Sequence, residues 1–236
     1  MTNFVNAVLF DLDGTLIDTA ADFVRIIGKM SRENNWQVPV ESDIREQVSA
    51  GASAMVQLML RHNGQMIVSD DELLAFRQQF LDDYEADICV DSCLFEQLDE
   101  VLIFLESKQV PWGIVTNKPR YLAEQLLEKM QLHERCTVLV CPDDVSRPKP
   151  DPEPMYLALE KLGIPRGGAA SVLYVGDHIR DIEAGRAAGM PTILAAYGYI
   201  PPEDQKSLKK WNASYIVETP RQLKQLLINS GKFDYL

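Results

Sequence analysis

Cysteine is scarce in this chain, and long apolar runs are missing. There are four cysteines, with Cys89 and Cys93 four apart and Cys136 and Cys141 five apart. These spacings match neither a dense disulfide framework nor the two-residue gap of a zinc knuckle, so all four are read as reduced thiols. No stretch reaches the roughly 18 apolar residues of a spanning helix, and the first ten residues lack the basic start of a signal peptide. A cytoplasmic location is expected. Positive charge is also short, since 23 Lys and Arg against 35 Asp and Glu give a formal net charge of −12. Phosphate backbones and anionic membranes need clustered cations, so neither nucleic acid nor a membrane is an expected partner. A small anionic substrate stays open, because a metal ion and a few basic side chains can focus on one site.

What is present is ordinary for a folded chain, with 46% hydrophobic and 25% charged residues. A length of 236 residues allows one large domain or a core with an insert. Apolar residues recur at helical spacing in four segments: Asp18 to about Asn34, around Ser42-Asp43-Ile44, Ala54 to about Arg61, and Asp70 to Tyr84. Beyond them strands and helices alternate, with strands expected at Trp112 to Val115, Val138 to Val140, Val172 to Val175, Thr192 to Ala195 and Tyr215 to Val217. Alternation of that kind predicts an α/β fold, a doubly wound parallel sheet with a Rossmann-like core. Residues 1–17 and 88–236 are expected to form that core. Residues 18–87 are expected to form an inserted helical cap, placed as a lid over the end of the first strand.

That first strand carries the leading motif. Val8, Leu9 and Phe10 read as a buried strand, and Asp11-Leu12-Asp13-Gly14-Thr15 follows. If the strand ran on, Asp11 and Asp13 would share a face. A turn and a helix start would also explain these acids, but open α/β sheets bind ligands at the carboxyl ends of their strands.

Three later stretches are candidates for the same place. Thr116-Asn117 ends a strand before Pro119 and can donate hydrogen bonds to a phosphate, or it is simply a polar turn. Lys149 is flanked by Pro148 and Pro150, which stiffen the backbone and can fix its ammonium near a phosphate, unless it is a solvated linker residue. Gly176-Asp177 ends another strand, with Asp181 four residues on as a helix cap, an orienter of Lys149, or both. Carboxylates gathered at about 4 Å would repel by roughly 4 kcal/mol per pair at an effective dielectric near 20. Hard oxygen ligands beside a phosphate point to magnesium as the remedy. His178 is read as loop structure. In the expected cap, Arg45 and the break at Ser49, Gly51, Ala52 and Ser53 are candidates for the leaving-group side.

With these residues in view, the chain resembles the haloacid dehalogenase superfamily of phosphatases. Asp11-Leu12-Asp13-Gly14-Thr15 is similar to its first motif, Thr116-Asn117 to its second, Lys149 to its third, and Gly176-Asp177 with Asp181 to its fourth. The insert is similar to the family's small helical cap. Within the superfamily the chain resembles the phosphoglycolate phosphatase branch. Cys141-Pro142-Asp143-Asp144, Lys149 to Pro154 and Tyr197-Gly198-Tyr199-Ile200 are also similar to bacterial N-acetylmuramic acid 6-phosphate phosphatases.

The resemblance implies a magnesium-dependent phosphomonoester hydrolase that acts on a small-molecule phosphate ester. Asp11 would be the nucleophile and Asp13 the acid and base. Asp11, Asp177 and the backbone carbonyl of Asp13 would hold magnesium, with Thr116, Asn117 and Lys149 on the phosphate. A phosphomutase of the same fold, such as a β-phosphoglucomutase, is the alternative. A dehalogenase would need neither Asp13 nor Asp177. A non-enzymatic phospho-receiver is a remote alternative, since receivers are shorter and lack a helical lid.

Overall fold

The computed structural model describes residues 5–65 and 69–230; residues 1–4 and 231–236, at the ends of the expected core, and residues 66–68 in the expected cap lie outside them. In chain order the strands are β1 (Ala7–Phe10), β2 (Ile17–Asp18), β3 (Cys93–Leu94), β4 (Trp112–Val115), β5 (Val138–Val140), β6 (Val172–Gly176), β7 (Thr192–Ala195) and β8 (Tyr215–Val217). Six of them form one sheet in the order β5-β4-β1-β6-β7-β8, with every pair parallel. The chain runs outward from β1 through β4 and β5, then returns to β6 on the other side of β1. The reversal between β1 and β6 is the switch point at which such sheets bind ligands.

Alternation along β1 ties the sheet to both of its faces. Val8 and Phe10 join one apolar cluster, with Leu102, Leu126 and Leu223. Ala7 and Leu9 join another, with Met155, Leu159 and Ala184. Those partners come from α5 (Leu98–Ser107), α6 (Arg120–Lys129), α7 (Glu153–Lys161), α8 (Ile179–Ala187) and α10 (Pro220–Ser230), while α9 (Pro202–Gln205) is a single turn. All four β1 residues are fully buried, and strands covered on both faces read as continuous apolar runs rather than alternating ones.

The four expected helices are α1 (Ala20–Glu33), α2 (Glu41–Gln47), α3 (Ala52–His62) and α4 (Asp70–Ala86). Ser69 starts α4 with a capping box, its hydroxyl accepting from the Glu72 amide at 3.2 Å while Glu72 accepts from the Ser69 amide at 2.9 Å. Phe23 on α1 packs against Phe80 and Tyr84 on α4, with ring centroids 5.5 and 4.8 Å apart. The segments leading into and out of the four helices pair with each other, as β2 and β3 form an antiparallel ribbon that matches Ile17 with Leu94 and Asp18 with Cys93. Asp22 pins the return segment. It is fully buried and accepts from the amides of Val90, Asp91 and Ser92 at 3.2, 2.9 and 3.2 Å, and from Arg25 at 2.6 Å. No helix among the described residues is long and apolar enough to cross a membrane, and all four thiols are free.

Candidate active site

The leading acids lie just past the end of β1, which stops at Phe10, so they do not share a strand face. Asp11 still follows the register of the sheet, its amide donating to Val175 of β6 at 2.8 Å. The chain then folds back at Gly14, whose φ of 84° lies in the left-handed region. A Cβ at Gly14 would overlap Asp177 Oδ2, so only glycine fits. The turn aims Thr15 at Asp177, and its hydroxyl donates to Oδ1 at 3.1 Å.

Lys149 is the centre of the charged array. Its ammonium lies 2.8 Å from Asp11 Oδ1 as a close ion pair, and it donates to Asp181 Oδ1 at 2.6 Å and to the Tyr174 hydroxyl at 2.9 Å. Burial alone would lower the pKa of Lys149, but Asp11 and Asp181 outweigh it and hold it above the ordinary lysine value. Asp181 both caps and orients, since its Oδ2 accepts from the His178 amide at 3.0 Å while Oδ1 faces Lys149. His178 is the other half of that cap, its Nδ1 accepting from the Arg180 amide at 3.1 Å. Burial, helped by Arg180, pushes its pKa down to about 4 and keeps the ring neutral.

Carboxylates outnumber the ammonium they surround. Oxygens of Asp11, Asp177 and Asp181 lie within 4.8 Å of one another. Burial, then Asp11 and Asp181, pushes the Asp177 carboxyl up to about 7. A buried group of acids with too little positive charge is what a divalent cation relieves, and an all-oxygen donor set suits a hard ion. The residues present therefore fit such an ion. Asp181 accepts from Lys149, Tyr174 and the His178 amide, and Asp177 from Thr15, Ser49 and the Tyr199 amide, so all three acids stand as candidate ligands.

Above these groups lies a cavity of about 610 Å³. Its floor comes from Asp11, Asp13, Thr116, Asn117, Lys149 and Asp181, and its roof from Ser49–Ser53 together with Met55, Phe80, Leu81 and Tyr84. Asp13 accepts from Thr19 at 2.8 Å and from Lys118 at 3.1 Å. Roof and floor touch at Ser49, whose hydroxyl donates to Asp177 Oδ2 at 2.6 Å and whose carbonyl accepts from Arg180 at 2.5 Å.

Residues 8–195 match the family model of the haloacid dehalogenase-like hydrolases. The chain belongs to that family. It is 43% identical over 223 residues to the N-acetylmuramic acid 6-phosphate phosphatase of Pseudomonas putida, covering 94% of this chain and 96% of the relative. It is 38% identical over 220 residues to the phosphoglycolate phosphatase of Xanthomonas campestris pv. campestris, covering 93% and 95%. A crystal structure from Haemophilus somnus, described as a predicted phosphoglycolate phosphatase, superposes with a TM-score of 0.80 at 25% identity, covering 96% of this chain and 99% of that one. This haloacid dehalogenase-like hydrolase is a phosphatase.

Two residues of the hydrolase sit differently from expectation. Arg45 does not line the cavity. Its neighbour Ile44 is buried, which turns Arg45 the other way on α2, where it pairs with Asp18 at 3.0 Å and lies 5.6 Å from the centroid of the Tyr199 ring. Asn117 lines the cavity, but its side chain is committed to Lys149, donating to the carbonyl at 3.0 Å and accepting from the amide at 3.2 Å. It holds the lysine loop in place instead of offering its amide to a phosphate. Sequence reasoning missed Lys118, Arg180 and Arg77, all of which line the cavity. Only Lys118, next to Thr116-Asn117, carried a local cue.

Proposed function

We propose that the chain hydrolyses the phosphate monoester of a carboxylated sugar, with N-acetylmuramic acid 6-phosphate fitting better than phosphoglycolate, and that magnesium is its cofactor. The observation that carries this reading is the buried Asp181–Lys149–Asp11 array at the switch point beneath a cavity of about 610 Å³. Cavities of about 300–1,000 Å³ enclose drug-sized ligands, so a sugar body has room here that a two-carbon acid would leave unfilled. The name of the 43% identical relative supports the same choice. Residues 18–87 act as a cap over a core of residues 1–17 and 88–236, and the four free thiols suit a reducing cytoplasm.

Asp11 attacks phosphorus in line and becomes an aspartyl phosphate as the alkoxide leaves. Asp13, steadied by Thr19 and Lys118, gives the alkoxide its proton and later takes one from the water that cleaves the acyl phosphate. Lys149, Thr116 and the Asn117 backbone amide receive the transferring oxygens. Asp11, Asp177 and the Asp13 carbonyl hold the magnesium, which when bound screens the carboxylate from the phosphate it must approach. A phosphate-release screen over N-acetylmuramic acid 6-phosphate, phosphoglycolate and common sugar phosphates, with and without chelator, tests the reading. Magnesium-dependent release, greatest from the carboxylated sugar ester, is expected without any bisphosphate activator. Undiminished release in chelator would remove the metal from the account, and a bisphosphate requirement would favour a mutase.

A further inference from the structure

Four cations line the cavity, and three are committed. Lys149 pairs with Asp11 and Asp181, Lys118 with Asp13, and Arg180 donates to the Ser49 carbonyl. The fourth is Arg77 on α4, half-buried in the cavity wall, and among the described residues it has no hydrogen bond or ion pair. We propose that Arg77 reads a carboxylate on the alcohol portion of the substrate, and so sets the preference for phosphate esters that carry a second anionic group. This rests on the phosphatase reading above and names what its leaving group must contain.

The helix supplies the distance. Arg77, Phe80, Leu81 and Tyr84 are spaced to share one face of α4 and all line the cavity. The Tyr84 end lies at the reacting groups, because its ring centroid is 4.3 Å from the Lys118 ammonium that pairs with Asp13. Arg77 is seven residues earlier, about 10 Å along the helix, with the apolar side chains of Phe80 and Leu81 between. A matching ligand has a phosphate ester at one end, a body with an apolar face, and a carboxylate across that body. A sugar acid phosphate has that layout. A two-carbon ester holds its carboxylate too close to phosphorus to reach. The guanidinium suits the task because its planar fork takes a carboxylate through two parallel hydrogen bonds. A cation at that end also favours a second anion in a cavity whose lining includes the acids Asp11, Asp13, Asp143 and Asp181.

The test compares N-acetylmuramic acid 6-phosphate with the same ester amidated at its carboxylate. Both carry the phosphate, so a general loss of electrostatic attraction falls equally on the two, and the ratio of their kcat/KM values isolates the carboxylate. Arg77→Gln is expected to lower that ratio by about 10- to 100-fold, the range spanned by a hydrogen bond to a charged group, with most of the change in KM. Arg77→Lys keeps the stem and the charge and is expected to recover part of the ratio, which also guards against a Gln variant that folds poorly. Calorimetric binding of the two esters to Asp11→Asn enzyme, with and without Arg77→Gln, decides the point independently of turnover. A wild-type enzyme that hydrolyses neither ester would overturn the proposed substrate and leave the binding comparison to judge Arg77. A kcat/KM ratio within about twofold of wild type, or an unchanged difference in affinity between the two esters, would overturn the proposal.

Discussion

The floor of the cavity is made of strand ends, and its roof is made of helices that meet the floor through a few polar side chains. On the floor, β1 and β6 are locked in register from Ala7 with Val172 to Phe10 with Val175, so the residues that follow, Asp11 and Asp177, emerge at fixed positions with little side-chain freedom. In the roof, Ser49 to Ser53 span the link after α2 and the first residues of α3 and reach the floor by Ser49 and Arg180 alone among the hydrogen bonds described above. Chemistry that needs atoms held to a fraction of an ångström belongs on the first kind of element, and choice of substrate on the second.

The comparison breaks if the floor can be changed without loss. Asp11→Asn should reduce phosphate release on the order of 10³- to 10⁶-fold, the scale seen when a nucleophile is removed, while the melting temperature does not fall. A melt that collapses with the activity would make Asp11 structural. Lys149→Met should come next. It leaves Asp11 and Asp181 facing each other without their shared cation, and breaking a buried pair costs about 3–5 kcal/mol. Chemical denaturation should read that loss, and added magnesium should recover part of it.

Effects in the roof should be smaller and should spare the chemistry. Burial alone would raise the pKa of Asp22, but Ser92, Asp91 and Arg25 together hold it below the ordinary carboxylate value. A carboxyl whose folded pKa is depressed contributes stability above its unfolded pKa of about 3.9, and that contribution is lost as the pH falls through the folded value. Asp22→Asn, with one acceptor oxygen where several donors converge, should therefore destabilise by about 1–3 kcal/mol at neutral pH. The difference from wild type should shrink in acid, and a gap that stays constant down to pH about 2 would show that Asp22 acts by shape alone. Ser49→Ala should have the smallest effect, about 1 kcal/mol, because Thr15 and the Tyr199 amide still donate to Asp177, at 3.1 and 2.9 Å.

The floor was also the more legible half. Apolar runs ending in Asp, Gly or Thr marked β1, β4 and β6 because buried parallel strands need continuous hydrophobic stretches and their loops need polar punctuation. That the large sheet is parallel followed from alternation, whereas its order did not. The ribbon of β2 and β3 escaped notice because two residues per strand leave no periodicity to read. Arg45 was misplaced because a cation beside a small-residue break says nothing about which way it turns, and burial of Ile44 decided that. Arg180 and Arg77 were unremarkable in sequence because their roles depend on what the fold brings opposite them. Asp22 carried no cue in the sequence, although it ties α1 to a segment some seventy residues away.

The central claim is that phosphate passes through Asp11. Enzyme mixed with substrate labelled in its phosphoryl group, quenched in acid within the first turnover and digested, tests it most directly. The account predicts label on the peptide that carries Asp11, discharged when unlabelled substrate follows. Label on any other peptide, or phosphate released in that first turnover with no labelled peptide preceding it, would contradict the account.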